Sequence, residues 1–243
     1  MHTYIAMADE MLQTAVNAVY QGDEGLLQTL DELPAAIYVT CADGVITHYN
    51  RACIAFAGRT PRIGQDSWCV TWKLYTEEGQ FLPHDRCPMA IAIREKRAVR
   101  GIEAVAVRPD GTRVSFRPYP TPLLDEAGNL IGAVNLLVDV TARKQAQALR
   151  AQAVRCRLLA NLVGDEKTTR TLASMAAEHD DGALEYDEKA LLMERRTKQK
   201  LSPSSCHSTT VPSLPTKSSR QGGVCTVFFP QHTAKQRATA ASI

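Results

Sequence analysis

Histidine and cysteine are the side chains best suited to bind a metal or act as nucleophiles in this 243-residue chain, which holds six and seven of them. The cysteines, Cys41, Cys53, Cys69, Cys87, Cys156, Cys206 and Cys225, are scattered, with no C-x-x-C pair. An odd number at such spacing fits neither a disulfide framework nor a zinc site. Reduced thiols are expected, with Cys53 and Cys87 acting as small buried hydrophobes. His84 stands beside a carboxylate in Pro83-His84-Asp85, and the plainer role for it is a loop imidazole bonded to Asp85 or to backbone. His48, between Thr47 and Tyr49, reads as a half-exposed strand residue. Phosphate-handling and acyl-transfer motifs are missing: there is no Walker loop, no nucleophile elbow and no Gly-x-Gly-x-x-Gly.

Binding chemistry has more candidates. Tyr38, Tyr49, Phe56, Trp68, Trp72, Phe116 and Tyr119 could line a ligand cavity. Core packing explains Phe56 and Phe116 well, whereas Trp68 and Trp72 fall in an irregular stretch that would roof a pocket. Arg113 and Arg117 share a strand face, with Glu103 as a cross-strand partner. Asp139 and Thr141 straddle a change from strand to helix. There Asp139 can accept from backbone N–H groups and Thr141 can add a side-chain bond.

The elements that must hold these residues follow from periodicity. Residues 4–32 carry apolar positions at three- and four-residue spacing, an amphipathic helical lead-in with one face needing a partner, and Asp23 could cap its second piece. Pro34 ends it. Two β-rich runs flank Asp43-Gly44, a hairpin signal because both central residues of such a turn favour positive φ. Asn50 occupies an N-cap position before Arg51–Ala57, with Gly58 at the C′ position. Pro88 opens a short helix to about Lys96. Strands are then expected over 101–108, 112–122 and 130–140, joined by short turns, which makes an α+β class with an antiparallel sheet. Pro118, Pro120 and Pro122 lack donors on one side of their strand, so its end should pair with a single neighbour. Helix resumes at Thr141. Leu149, Ala153, Cys156, Leu159 and Val163 suit a two-stranded contact. A charged helical stretch, broken at Gly182, follows over 167–200.

Composition bounds the class. With 44% hydrophobic and 22% charged residues and a formal charge of +2, nothing pushes toward nucleic acid or anionic membrane. The tail beyond Leu201 is polar, free of acids, and reads as disordered apart from the apolar island Val224–Phe229. No signal peptide opens the sequence and no apolar run nears the roughly 20 residues of a membrane span, so a cytoplasmic protein is expected.

Several segments together resemble one family. Leu33-Pro34-Ala35-Ala36-Ile37-Tyr38-Val39, Asp43-Gly44-Val45-Ile46 and Tyr49-Asn50-Arg51-Ala52 resemble the opening hairpin and first helix of PAS domains. Asp125–Val134 leading into Asp139-Val140-Thr141-Ala142-Arg143-Lys144 resembles the last strand and the Asp-x-Thr hinge into the signalling helix. Leu82–Ala90 and Arg108–Thr112 are similar to bacterial members. The likeness spans about residues 30–145. It implies a PAS fold: a five-stranded antiparallel sheet with short helices on one face, a pocket between them, and flanking amphipathic helices. The segments are then a lead-in (1–32), the PAS domain (33–140), a signalling helix with a charged extension (141–200) and a disordered tail (201–243).

Function is expected to follow the resemblance. The pocket residues would be Tyr38, Tyr49, Trp68, Trp72, Phe116 and Tyr119, and the relay pair Asp139 and Thr141. Some members bind haem through a histidine in the region of His84, with His48 a weaker candidate, and the plainer expectation is a colourless ligand or no cofactor. The flavin chemistry of the light-sensing subfamily needs a cysteine in a Gly-Arg-Asn-Cys-Arg-Phe-like helix; Cys53 lies on the wrong helix and Cys87 lacks those neighbours. For a histidine kinase, only His179 is placed to accept phosphate. It lacks the following Arg and Pro, and no nucleotide-binding loop comes after it. No helix-turn-helix with a basic face follows either. The expectation is a stand-alone, non-enzymatic sensory or interaction module, a homodimer that responds to a small ligand or partner. It would signal to a separate protein such as a histidine kinase in a two-component system. The alternative is a truncated or degenerate PAS-containing kinase.

Overall fold

The computed structural model describes residues 2–21 and 25–201. Asp23 and the tail over 202–243 lie outside the described residues. The Asp43-Gly44 hairpin forms between β1 (Ala36–Cys41) and β2 (Ile46–Tyr49). Only Gly44 takes a positive φ there, at 81°. A Cβ on Gly44 would fall 2.3 Å from the Trp68 ring, so close approach as well as backbone angle demands glycine. Helix α1 (His2–Gln21) and α2 (Leu26–Glu32) precede the hairpin, and α3 (Arg51–Ala57) follows it, ended by Gly58 in the left-handed region. After β3 (Lys73–Tyr75) come a 3₁₀ turn at His84–Arg86 and α4 (Pro88–Glu95), with Pro88 in its first turn. The remaining strands are β4 (Ala104–Val107), β5 (Arg113–Leu124) and β6 (Leu130–Asp139).

All pairings are antiparallel, in the order β2-β1-β6-β5-β4-β3. The sheet therefore has six strands where five were expected. The extra one, Lys73–Tyr75, is too short to show alternation in the sequence and exists through its pairing with β4. The three prolines fit the register: Arg113–Phe116 pair with β4, Phe116 alone has partners on both sides, and from Arg117 onward β5 pairs with β6 alone. The open side at Pro120 is covered by the Val99 N–H and the Arg100 guanidinium, both donating to its carbonyl.

The sheet buries both faces. Tyr38, Ile46, Phe56, Leu74, Met89 and Phe116 belong to the cluster under α3 and α4. Ile37, Val39, Leu123, Val134 and Leu136 meet Met11, Leu12, Ala15 and Val19 of α1 and Leu30 of α2 on the other. The amphipathic lead-in thus finds its partner in the chain's own sheet. Burying side chains such as Val19 and Leu30 contributes about 2 kcal/mol each. Coverage of both faces also explains why β1 is buried at every position instead of alternating.

Helices α5 (Thr141–Leu162) and α6 (Glu166–Leu201) fold back on each other as an antiparallel hairpin. Arg143–Glu194, Arg150–Asp187 and Arg157–Asp180 form a ladder of ion pairs with one rung every seven residues of each helix. Ala146, Ala153, Ala176 and Ala183 are buried, so the axes approach closely. The expected break at Gly182 is absent: α6 runs through it, and its missing side chain makes room for Leu149. Of the residues foreseen for a contact of α5, Ala153 and Cys156 are buried with Ala176 of α6, whereas Leu159 and Val163 stay exposed. Among the described residues, no helix is long and apolar enough to cross a membrane.

One side chain joins three of these elements. Asn50 is buried; its Oδ1 accepts from the N–H of Ile37 (3.0 Å) and Cys53 (3.2 Å). Its Nδ2 donates to the carbonyls of Leu30 (2.9 Å) and Ala35 (2.7 Å). Asn50→Ala should lower stability by about 3 kcal/mol, the cost of a lost cap and of several backbone groups left unsatisfied. Asn50→Asp should do worse, since a carboxylate would face carbonyl oxygens. Urea midpoints at neutral pH check both; a variant within 1 kcal/mol of wild type, on the order of a single bond, would show that the amide is dispensable.

Candidate functional site

A chain of buried polar groups crosses the interior between the sheet and the short helices. The Tyr119 backbone N–H donates to Asn135 Oδ1 (3.0 Å). Asn135 Nδ2 donates to the Tyr38 hydroxyl (3.0 Å), which donates in turn to the Trp68 carbonyl (2.8 Å). Tyr38 and Asn135 are buried, and burial pushes the tyrosine hydroxyl far above its ordinary pKa, so it remains a neutral donor. Sequence reading missed Asn135. Its signal was one amide inside the otherwise apolar run Leu130–Val138, at an inward position.

Trp68 ends this chain under strain. Its φ is 67°, rare for a bulky residue, and its N–H donates to the Gly44 carbonyl at 2.7 Å. The loop is braced by Asp66, a buried carboxylate paired with Arg59 (2.7 Å) and Arg62 (2.9 Å). Burial alone would raise the Asp66 pKa, but hydrogen bonds from Arg62 and Arg59 outweigh it and hold the group ionised. Cys69 and Cys87 flank Tyr38. Burial pushes the Cys87 thiol up to about 12 and Cys53 higher still, so both are inert in this state.

The six aromatic candidates do not converge on one cavity. Tyr38 and Phe116 are buried together in the inner cluster, with Tyr49 and Trp68 packed against it. Phe116 meets Phe56 edge-on at 5.3 Å. Tyr119 lies on the opposite face, under α1, because the side chains of β5 alternate and it differs in parity from Phe116. Trp72 is exposed, with Lys73 over its ring at 4.2 Å, and roofs nothing. His84 sits half-buried in the 3₁₀ turn, with its Nε2 unbonded among the described residues. Burial, with Arg59 nearby, lowers its pKa. The inner cluster is filled by buried side chains, and His84 is not among the residues that line the large cavity. That cavity, about 810 Å³, lies outside the cup, between the last turns of α6, α1, α3 and the ends of β1 and β6.

Asp139 and Thr141 do come together. The Asp139 carboxylate accepts from the Thr141 N–H (2.8 Å), and the Thr141 hydroxyl accepts from the Ser115 N–H (3.0 Å). The first turn of α5 is thereby hydrogen-bonded to β5 as well as continuing β6. Lys144, a residue the sequence did not single out, adds a second tie through Glu103 at 2.6 Å and Glu77. Glu103 also pairs with Arg117, as expected, whereas Arg113 lies over the Tyr75 ring. Burial opposes the charge on Glu103, yet Lys144 and Arg117 hold its pKa below the ordinary value. Hydrogen bonds from Lys144 to Glu103 and Glu77 raise the pKa of the lysine.

Comparison with known proteins adds the family. A family model described as PAS fold matches residues 30–145. No curated protein matches the chain. Among solved structures, the PAS domain of a Colwellia psychrerythraea protein is 18% identical, covering 47% of this chain and 92% of that one, with a TM-score of 0.32. The LOV protein of Rhodobacter sphaeroides is 11% identical, covering 68% of this chain and 97% of that one, with a TM-score of 0.38. The PAS domain of the fruit-fly ELK potassium channel is 12% identical over 44% of this chain and 88% of that one, at a TM-score of 0.34. The family match encloses all six strands and the Asp139–Thr141 junction, and residues 30–145 are a PAS domain.

Proposed function

We propose that this chain is a cytoplasmic sensory or interaction module that signals through the position of its α5/α6 hairpin, and that a separate protein such as a histidine kinase reads it. PAS domains are generally sensory modules without catalysis of their own. The observation that carries the reading is the junction at Thr141, where one helical turn is tied to two strands by side-chain bonds. Any input that shifts Trp68 removes an acceptor from Tyr38. The hydroxyl must then reorient against its other partner, Asn135, which sits in β6, four residues before Asp139. Such an input is a small ligand or a partner at the Trp68 loop, and the strain stored there lowers the cost of moving it. The module works as a homodimer in this reading, through surfaces the hairpin leaves exposed, among them Leu158 and Leu162.

Thr141→Val keeps shape but leaves the Ser115 N–H without its acceptor, at a cost of about 1–2 kcal/mol. Hydrogen exchange at the Val140 and Lys144 amides should then quicken roughly tenfold, with the α6 interior unchanged. Unchanged exchange at the junction would sink the relay.

Glu103 gives a pH signature. Its folded pKa is depressed, so its stabilisation is complete above the ordinary glutamate value of about 4.3 and is lost as pH falls through the lower folded value. Wild type should therefore lose its advantage over Glu103→Gln on acidification through this range. Parallel urea midpoints for the two would contradict the assignment.

The non-catalytic part of the reading is checked with labelled ATP. No phosphate should enter the protein; incorporation abolished by His179→Ala would make it a kinase.

A further inference from the structure

The 810 Å³ cleft stands outside the interior where the proposed input acts, and the assembly of its walls suggests an occupant. Three methionines, Met7 and Met11 of α1 and Met193 of α6, supply apolar wall together with Phe56 of α3. Its volume lies in the range of about 300–1,000 Å³ typical of ligand sites. Methionine is unbranched and polarizable, and a surface built of it adapts to a flexible apolar chain. Met193 is 54% exposed, an apolar side chain left uncovered by the described residues.

The charged groups on the cleft are lopsided. Arg108, Arg196 and Lys200 line it, against the single carboxylate of Asp139, which is occupied by the Thr141 N–H. Arg108 donates from Nε to the Phe56 carbonyl, with Asp110 nearby, while Arg196 and Lys200 form no ion pair among the described residues. An apolar floor under a cationic rim is complementary to an amphipathic anion. The chain's own tail is a poor occupant: residues 202–243 bring Lys217, Arg220, Lys235 and Arg237 and no acid, so they would add like charge to the rim.

We propose that the cleft between α6, α1 and α3 is a binding site for an acyl-chain carboxylate, its chain along the methionines and its head between Arg196 and Lys200. The site does not rest on the relay reading. Only its consequence does: a bound anion would bridge the end of α6 to the body of the PAS domain and fix the hairpin.

Isothermal titration of the full chain with dodecanoate, kept below its micellar concentration, tests this. Dodecanoate should bind with one site per chain, and dodecyltrimethylammonium, with the same tail and the opposite charge, should bind at least about tenfold more weakly. Arg196→Glu with Lys200→Glu should weaken dodecanoate about tenfold or more, a loss of about 1.4 kcal/mol or more. Both residues are exposed, so far-UV circular dichroism should be unchanged. Met193→Asp, also at an exposed position, should weaken it independently. No binding heat, equal affinity for the two detergents, or full affinity in both variants would each overturn the proposal. Thr141→Val, whose side chain does not line the cleft, should keep dodecanoate affinity, so the cleft and the relay fail separately.

Discussion

The carboxamide of Asn50 fixes where the domain begins. A primary amide offers one acceptor oxygen and two N–H donors, and this one uses both ends at once. The oxygen caps α3 and satisfies the first strand, while the nitrogen holds the carbonyls where α2 gives way to β1. No other side chain has this combination at that length: aspartate lacks the donors, serine the reach, and glutamine would displace both ends. The consequence is positional. α3 leaves β2 in one direction only, the inner cluster closes under it, and α1 and α2 are drawn against the opposite face of the same strands.

A sheet buried on both faces has little spare polarity, so the polar groups it holds carry meaning. Asn135 and the Tyr38 hydroxyl satisfy each other inside the cluster, and the last acceptor is a main-chain carbonyl on the strained Trp68. Burial raises the pKa of the Cys53 and Cys87 thiols and keeps them protonated at neutral pH. A polar thread within an apolar layer is stable only while every member is bonded.

Much of this was legible from residue types. Asn50 before α3, Gly58 after it, Pro88 in a first turn and the three prolines of β5 each left one backbone solution, and those solutions appear, whereas the Asp-Gly turn forms with positive φ at Gly44 alone. Asp139 and Thr141 were legible because capping is local chemistry. Elements made by tertiary pairing were not: β3 has three residues and no period of its own, and α6 crosses Gly182 because Leu149 fills the space beside it. Strand parity separated Tyr119 from Phe116, and it depends on which face each strand turns inward, information held by the neighbours. Lys144 was invisible for the same reason, since Glu77 and Glu103 lie far from it in sequence.

The ion-pair ladder has a mechanical consequence. Because its rungs run seven residues apart in opposite directions, continuing the register sets Arg196 opposite Thr141, and the final turn of α6 overshoots the root of α5 to reach the domain body. The hairpin is thus a rod with two footings on the domain, one at the strand end and one at the cleft. At 1.5 Å per residue, α5 reaches about 33 Å from its root. A tilt of about five degrees at the footings displaces the far tip by roughly 3 Å at that length. A small shift between the two footings is thereby geometrically magnified at the far tip of the rod.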